Sequence, residues 1–251
     1  MTIPETLELT RITLSLIALA ASSYHDYKTR RVPDTIPKIL IPTATTLTLA
    51  DILLQPNPQT KLLTYAAYTA ITATIFYAIA YTGLFGGADA KIMIALSLAT
   101  PWQPTTIKPT LGITFPILPI SILNNSLLLA VTSLPYAAAS NLAWKNRTGQ
   151  NLFNNLEKEP IHKKIAALLF CVKKEKAKVK PYDLIAEKQG KLTLFNKIQE
   201  EDLTPQELQN LPENVFVTFS LPLVIFITAG YATTILIGDL PLFLVKNILK
   251  L

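Results

Sequence analysis

Asp89 and Lys91 are the only charges in a long apolar neighbourhood: none lies between Lys61 and Asp89, and none between Lys91 and Lys108. Asp89 follows Gly86, Gly87 and Ala88, which offer little or no side chain. A carboxylate placed this way is costly in lipid, which makes it a candidate for function. The competing reading is that Asp89 and Lys91 mark a solvated turn at a membrane interface. Asp26 is the second candidate, because it ends another apolar run and is followed by Lys28, Arg30 and Arg31. Two carboxylates brought close cannot both stay ionised cheaply, so they share a proton and titrate as a unit. Such a pair can hydrolyse an acyl bond: the ionised partner takes a proton from water while the protonated one polarises the carbonyl. Gly86 and Gly87 would let an extended peptide backbone approach Asp89, although glycine pairs also commonly just end a helix.

The elements that must carry these aspartates are apolar helices. Half of the 251 residues are hydrophobic and 16% are charged, against roughly 25% charged in soluble domains, and the mean hydropathy is +0.34. The chain therefore reads as an all-α polytopic membrane protein, with six transmembrane helices and a small cytoplasmic polar insert before the last. The apolar runs cover residues 7–24, 35–54, 62–85, 91–100, 118–144 and 215–237. Only 14 uncharged positions separate Arg11 from Asp26, so the first run reaches spanning length with the Arg11 stem snorkelling. It lacks the basic start of a signal peptide, since Glu5 and Glu8 precede Arg11, and reads as a retained span. In the second run 12 positions separate Lys38 from Asp51, which puts both charges at interfaces. Pro101, Pro104, Pro109, Pro116 and Pro119 predict a short or broken fourth crossing and an irregular connection whose backbone is covered by protein or water. Asn124 and Asn125 read as helix-packing residues in preference to substrate contacts.

The expected domains are 1–144, with five membrane helices and both aspartates, the polar insert 145–213, and 214–251, a last helix and short tail. The insert holds 13 Lys and Arg against 10 Asp and Glu. Its run from Lys173 to Lys180 reads as a solvated face, with negative lipid headgroups as the partner if it binds anything. The single Cys171 excludes an internal disulfide and a multi-cysteine zinc site and reads as a reduced structural thiol. No cofactor, metal or nucleic acid is implied; in a chain this apolar the net charge of +6 bears on membrane orientation.

With six crossings, the segments after the first, third and fifth share a side and hold 18 of the 23 cations. The positive-inside rule makes that side the cytoplasm and leaves both termini outside. It also places Asp26 and Asp89 at the cytoplasmic face, with Asp51 and Asp239 at the other. That is the carboxylate pair of an aspartic protease in outline.

Gly86-Gly87-Ala88-Asp89-Ala90-Lys91 resembles the GxGD motif of membrane aspartyl proteases, specifically the archaeal preflagellin and prepilin peptidases of the type IV prepilin peptidase group. Asp26, followed by Lys28, Thr29, Arg30, Arg31, Val32, Pro33 and Asp34, resembles that family's aspartate at the end of its first helix. The helix plan, the insert and Gly238-Asp239 extend the resemblance over nearly the whole chain. Ala88 departs from it, standing where the pattern has its second glycine; the residue is expected in a conformation open to alanine. The resemblance implies catalysis by Asp26 and Asp89, substrate contact at Gly86, Gly87 and Ala88, and a preflagellin (archaellin) or pilin-like precursor as partner, cut on the cytoplasmic side after its short basic leader. The tetracysteine region of bifunctional bacterial members is missing, so proteolysis alone is implied. His25 and Lys91 are expected in interfacial roles, Lys91 near lipid phosphate, and Tyr24 and Tyr27 as interfacial anchors. A transporter using interface carboxylates and a non-enzymatic assembly factor are the alternatives.

Overall fold

The structure, a computed structural model, describes residues 2–82, 86–188, 190–193, 203–218 and 223–249. It is mostly helical and divides into two compact units, Met1–Leu129 with Pro222–Leu251, and Ala130–Leu221.

The first unit contains α1 (Ile3–Thr29), α2 (Thr35–Leu53), α3 (Pro58–Tyr81), α4 (Gly87–Ala99) and α5 (Leu118–Val131). Thr2 and Glu5 start α1 with a reciprocal capping box, and Arg30 ends it in a left-handed conformation, φ 56°. The face α1 turns inward is largely polar: Glu8, Arg11, Ser15, Leu19, Ser22 and Asp26 are buried at helical spacing. Leu16, Ile17, Tyr24 and Tyr27 face out. Polar groups inside and apolar ones outside suit a lipid surrounding. α4 is the most enclosed helix, with Ala90, Ile92, Met93, Ala95, Leu96 and Ala99 all buried, and it packs against α1, α2 and α3.

Thr35–Leu53, Pro58–Tyr81 and Leu118–Thr148 are long and apolar enough to cross a membrane, as is one bent pair taken together, α9 (Leu223–Leu236) with α10 (Leu240–Leu249). The first run and α4 do not reach that standard among the described residues. α1 is long enough, but Glu5, Glu8, Arg11, Asp26 and Lys28 lie within it and lower its hydropathy. Arg11 does not snorkel: it is 3% exposed, with Nη2 2.5 Å from Asp51 Oδ2 and Nη1 donating to Thr48 Oγ1 and the Ala99 carbonyl. Asp51 is likewise buried, 4% exposed.

Residues 101–117 form the expected irregular connection, and Glu8 holds it by accepting hydrogen bonds from the Thr105 and Thr106 amides at 2.8 and 2.9 Å. Asn124 and Asn125 do pack helices. Asn125 donates to Thr234 Oγ1 and the Gly238 carbonyl and accepts from the Leu240 amide, while Asn124 donates to Asp239 Oδ2. α5 and α9 approach so closely at Gly230 that an added Cβ would lie 2.3 Å from Ser126 Oγ and 2.8 Å from the Ile122 carbonyl. Gly230→Ala is therefore expected to lower stability by about 1–3 kcal/mol through overpacking, read as a fall in the unfolding temperature in nanodiscs; an unchanged temperature would mean the helices part freely there.

The second unit contains α6 (Ser133–Thr148), α7 (Ile161–Phe170), β1 (Cys171–Glu175), β2 (Glu187–Lys188), β3 (Lys191–Leu192), α8 (Pro205–Gln209) and β4 (Asn214–Thr218). β1 pairs antiparallel with β4 and β2 with β3, so the chain is not all-α. β4 also corrects the helix expected from residue 215. Val215, Phe216 and Val217 are a short apolar run that periodicity cannot tell from buried helix, and here they pair with Lys174, Lys173 and Val172. Thr204 and Glu207 cap α8 as a capping box, as their spacing predicts.

The lysine run is not simply a solvated face. Lys173 is 4% exposed, pairs with Glu187 at 2.8 Å and lies 4.4 Å from the centre of the Phe216 ring; Lys174 pairs with Asp183 and Lys178 with Glu175. Cys171 is fully buried, and burial pushes its thiol up to about 12. The thiolate is the reactive form, so at pH 8 an aromatic disulfide reagent is expected to leave the native protein unmodified and to react once it is unfolded. Rapid reaction of the native protein would contradict that burial.

Candidate active site

Asp26 and Asp89 lie at opposite helix ends, one in the last turn of α1 and the other in the first turn of α4. Asp26 lies in the last turn of α1 and is 9% exposed. Its Oδ2 accepts a hydrogen bond, at 3.1 Å, from the amide of Val224 in the first turn of α9. The first amides of a helix lack intrahelical partners and carry partial positive charge, so Asp26 caps a helix that lies 198 residues away in sequence. One turn earlier Ser23 Oγ lies 2.7 Å from Thr228 Oγ1, which fixes the height of α1 against α9.

Asp89 sits in the first turn of its own helix, where its Oδ2 accepts from the Gly86 amide at 3.0 Å. This is the return half of a capping box, with glycine in place of the usual hydroxyl residue. The two carboxylates lie within Coulombic reach of each other, and each has one oxygen held by a helix-end amide.

Gly86 is extended, φ −67° and ψ 150°, and α4 begins at Gly87. The position therefore does not need glycine for its dihedrals. A Cβ on Gly86 would lie 3.1 Å from Asp89 Oδ2, whereas one on Gly87 would meet nothing within 4 Å. Ala88 is an ordinary first-turn helical residue, which explains why alanine serves there. Gly86→Ala is expected to displace the Asp89 carboxylate and lower cleavage. Gly87→Ala, adding a good helix former in open space, is expected to leave stability unchanged or slightly raised. Circular dichroism melts separate the two, because only the first disturbs the Asp89 cap of α4; equal melting shifts at both positions would remove the steric argument.

Lys91 turns away from Asp89 and forms an ion pair with Asp34 at 2.7 Å, both side chains half exposed. The Lys91 ammonium holds the Asp34 carboxyl below the usual carboxylate range. Asp34 accordingly does not cap α2 with its side chain. His25 packs edge-on to Tyr24 with ring centres 5.7 Å apart. Two parts of the site had no sequence signal. The Val224 amide carries no side-chain information, and Asp34 and Lys91 are 57 residues apart. A cavity of about 660 Å³ lies at the other end of α1, lined by Glu5, Glu8, Asp51, Lys61 and Trp102 among others; neither aspartate contributes to it.

Residues 13–134, which contain both aspartates, match the type IV leader peptidase family, Peptidase A24. Residues 158–240 match the archaeal Peptidase A24 C-terminus type II. The chain belongs to the type IV leader peptidase family. No curated protein matches it closely. Type IV leader peptidases of the A24 group are aspartic-type prepilin peptidases, so the chain is a protease. As a type IV leader peptidase it is a membrane protein that acts on prepilin-like precursors, which agrees with its apolar helices.

Proposed function

We propose that Asp26 and Asp89 are the catalytic pair of this peptidase, which removes the short basic leader of archaellin or pilin-like precursors at the cytoplasmic membrane face. The observation that supports the reading is that the carboxylates at the ends of α1 and α4 are each fixed by one helix-end amide and are near enough for Asp26 to act electrostatically on Asp89. One oxygen on each side chain is held; among the described residues the other has no hydrogen bond, and in this reading it serves water or substrate. The ionised carboxylate takes a proton from water as the water oxygen bonds to the scissile carbonyl carbon. The protonated partner gives its proton to the carbonyl oxygen. Collapse of the tetrahedral species breaks the C–N bond, the leaving nitrogen takes up a proton, and the pair again shares one. The open backbone at Gly87 gives an extended peptide a place beside Asp89, with Gly86 and Ala88 flanking it.

Orientation follows from charge. Lys28, Arg30, Arg31, Lys38 and Lys91 border the aspartate ends of α1, α2 and α4, and cations gather on the cytoplasmic side. In this reading the chain crosses six times, with α1, the short α4 and α9 completing the three long helices that are apolar enough by themselves, and the polar insert 145–213 faces the cytoplasm. Sealed inside-out vesicles should cleave an added archaellin precursor before its apolar stretch, while right-side-out vesicles should not. Cleavage by both Asp26→Asn and Asp89→Asn at the wild-type rate would end the pair assignment. Cleavage only in right-side-out vesicles would reverse the orientation.

A further inference from the structure

α10 follows α9 at a bend of 59°, and the bend is built, not loose. Gly238 has φ +116°, and a Cβ there would lie 2.7 Å from the Ile113 carbonyl, so only glycine fits. Breaking a helix at membrane depth frees backbone groups that lipid cannot satisfy. Here several are taken up. The Leu236 and Ile237 carbonyls accept from the Thr110 and Leu111 amides at 3.0 and 2.8 Å, and the Gly238 carbonyl accepts from Asn125 Nδ2 at 2.8 Å. The Asp239 amide donates to the Ile113 carbonyl at 2.8 Å. At the start of α10 the Leu240 amide donates to Asn125 Oδ1 and the Leu242 amide to Asp239 Oδ1. Asp239 is itself fully buried and also accepts from Asn124. The direction of α10 relative to α9 is therefore set by side chains of α5 and by the 101–117 connection.

The helix so aimed packs on almost nothing. None of its residues is buried, and Leu244, Val245, Ile248 and Leu249 are exposed at 50%, 50%, 77% and 59%. Their positions cover one broad face, while Lys246 and Asn247 fall on the opposite one with Phe243 between them. Leu236 and Ile237, at the end of α9, are also exposed, so apolar surface lies on both sides of the corner.

We infer that α10 is an interfacial helix that lies along the lipid surface, its Leu244, Val245, Ile248 and Leu249 face in the outer acyl layer and Lys246 among anionic headgroups. An amphipathic helix held in the membrane plane has this distribution. The hydrogen-bonded corner turns the chain out of the spanning direction, and α10 then fixes how deep α9 sits. That depth reaches the opposite end of α9, where the Val224 amide holds Asp26.

The test uses full-length protein labelled with an environment-sensitive maleimide at Ile248→Cys or Asn247→Cys; buried Cys171 stays unlabelled. Each is placed in bilayers of anionic lipid brominated either near the headgroup or near the acyl chain end. The probe at 248 should lose most of its emission with bromine near the headgroup and little with bromine near the chain end. The probe at 247 should be quenched by aqueous iodide. Strong quenching of both probes by chain-end bromine would make α10 a continuation of the span and overturn the inference. Iodide quenching at 248 without bromolipid quenching, or protection from both, would place that face in water or against protein and overturn it too.

Discussion

Asp89→Asn is expected to slow precursor cleavage by about 10²–10⁴-fold, the usual worth of a positioned acid or base, while changing stability by less than about 1 kcal/mol. Asparagine keeps an oxygen for the Gly86 amide, so the start of α4 remains capped. What it loses is the ability to take up or give back a proton. Asp26→Asn is expected to behave in the same way, because its amide oxygen can still accept from Val224. The double variant should be little slower than either single one, since groups acting as a unit lose their function together. Alanine separates the two roles of each side chain: Asp26→Ala removes the cap of α9 as well as the acid, so it should lower stability by about 1 kcal/mol in addition to abolishing cleavage. Initial rates in membranes and unfolding temperatures on the same preparations give both readings. An Asn variant with near-normal cleavage, or one whose loss of rate merely tracks a loss of fold, would count against the pair.

Arg11→Met is expected to be among the most destabilising substitutions in the membrane unit, costing about 3–5 kcal/mol. Arg11 and Asp51 are 3% and 6% exposed at the side chain. Removing the guanidinium leaves the Asp51 carboxylate buried without its partner and frees Thr48 and the Ala99 carbonyl from one donor. The same contacts tie α1, α2 and the end of α4 together, opposite the aspartates. Arg11→Met with Asp51→Leu should recover most of the loss, because apolar residues of similar volume often replace a buried pair without penalty. Unfolding temperatures of the single and double variants decide it: if both match wild type, the pair contributes nothing net, and if both fall equally, the loss is one of packing.

Asp26 and Asp89 were legible in the sequence because a lone carboxylate in an apolar run has few inexpensive explanations. α3 was legible for a related reason: uninterrupted hydropathy reports a spanning helix directly. The pairing of Arg11 with Asp51 was not, since the two are 40 residues apart and no periodicity links them; a snorkelling arginine and a paired one look alike in sequence. Val215 to Val217 read as the start of a helix because a short apolar run carries no period of its own, and only pairing with β1 makes it a strand. Residues 241–251 read as a tail because the signal for α10 is the bend before it, made by Asn125 and Ile113 far upstream. The six crossings were inferred from hydropathy in which Glu8, Arg11 and Asp26 were treated as edges of a helix. The structure puts all three on the inner face of α1.

Proteolysis inside a membrane has a supply problem, since the reaction consumes water where there is almost none. α4 has 13 residues and so rises only about 20 Å, well short of the roughly 30 Å hydrocarbon layer. Its far end is met by the 101–117 connection, which Glu8 holds in place. In the proposed topology the remaining third of the thickness falls to irregular, hydrogen-bonded chain and not to more helix. A crossing helix this short would leave its N-terminal carboxylate within reach of bulk water at the membrane surface.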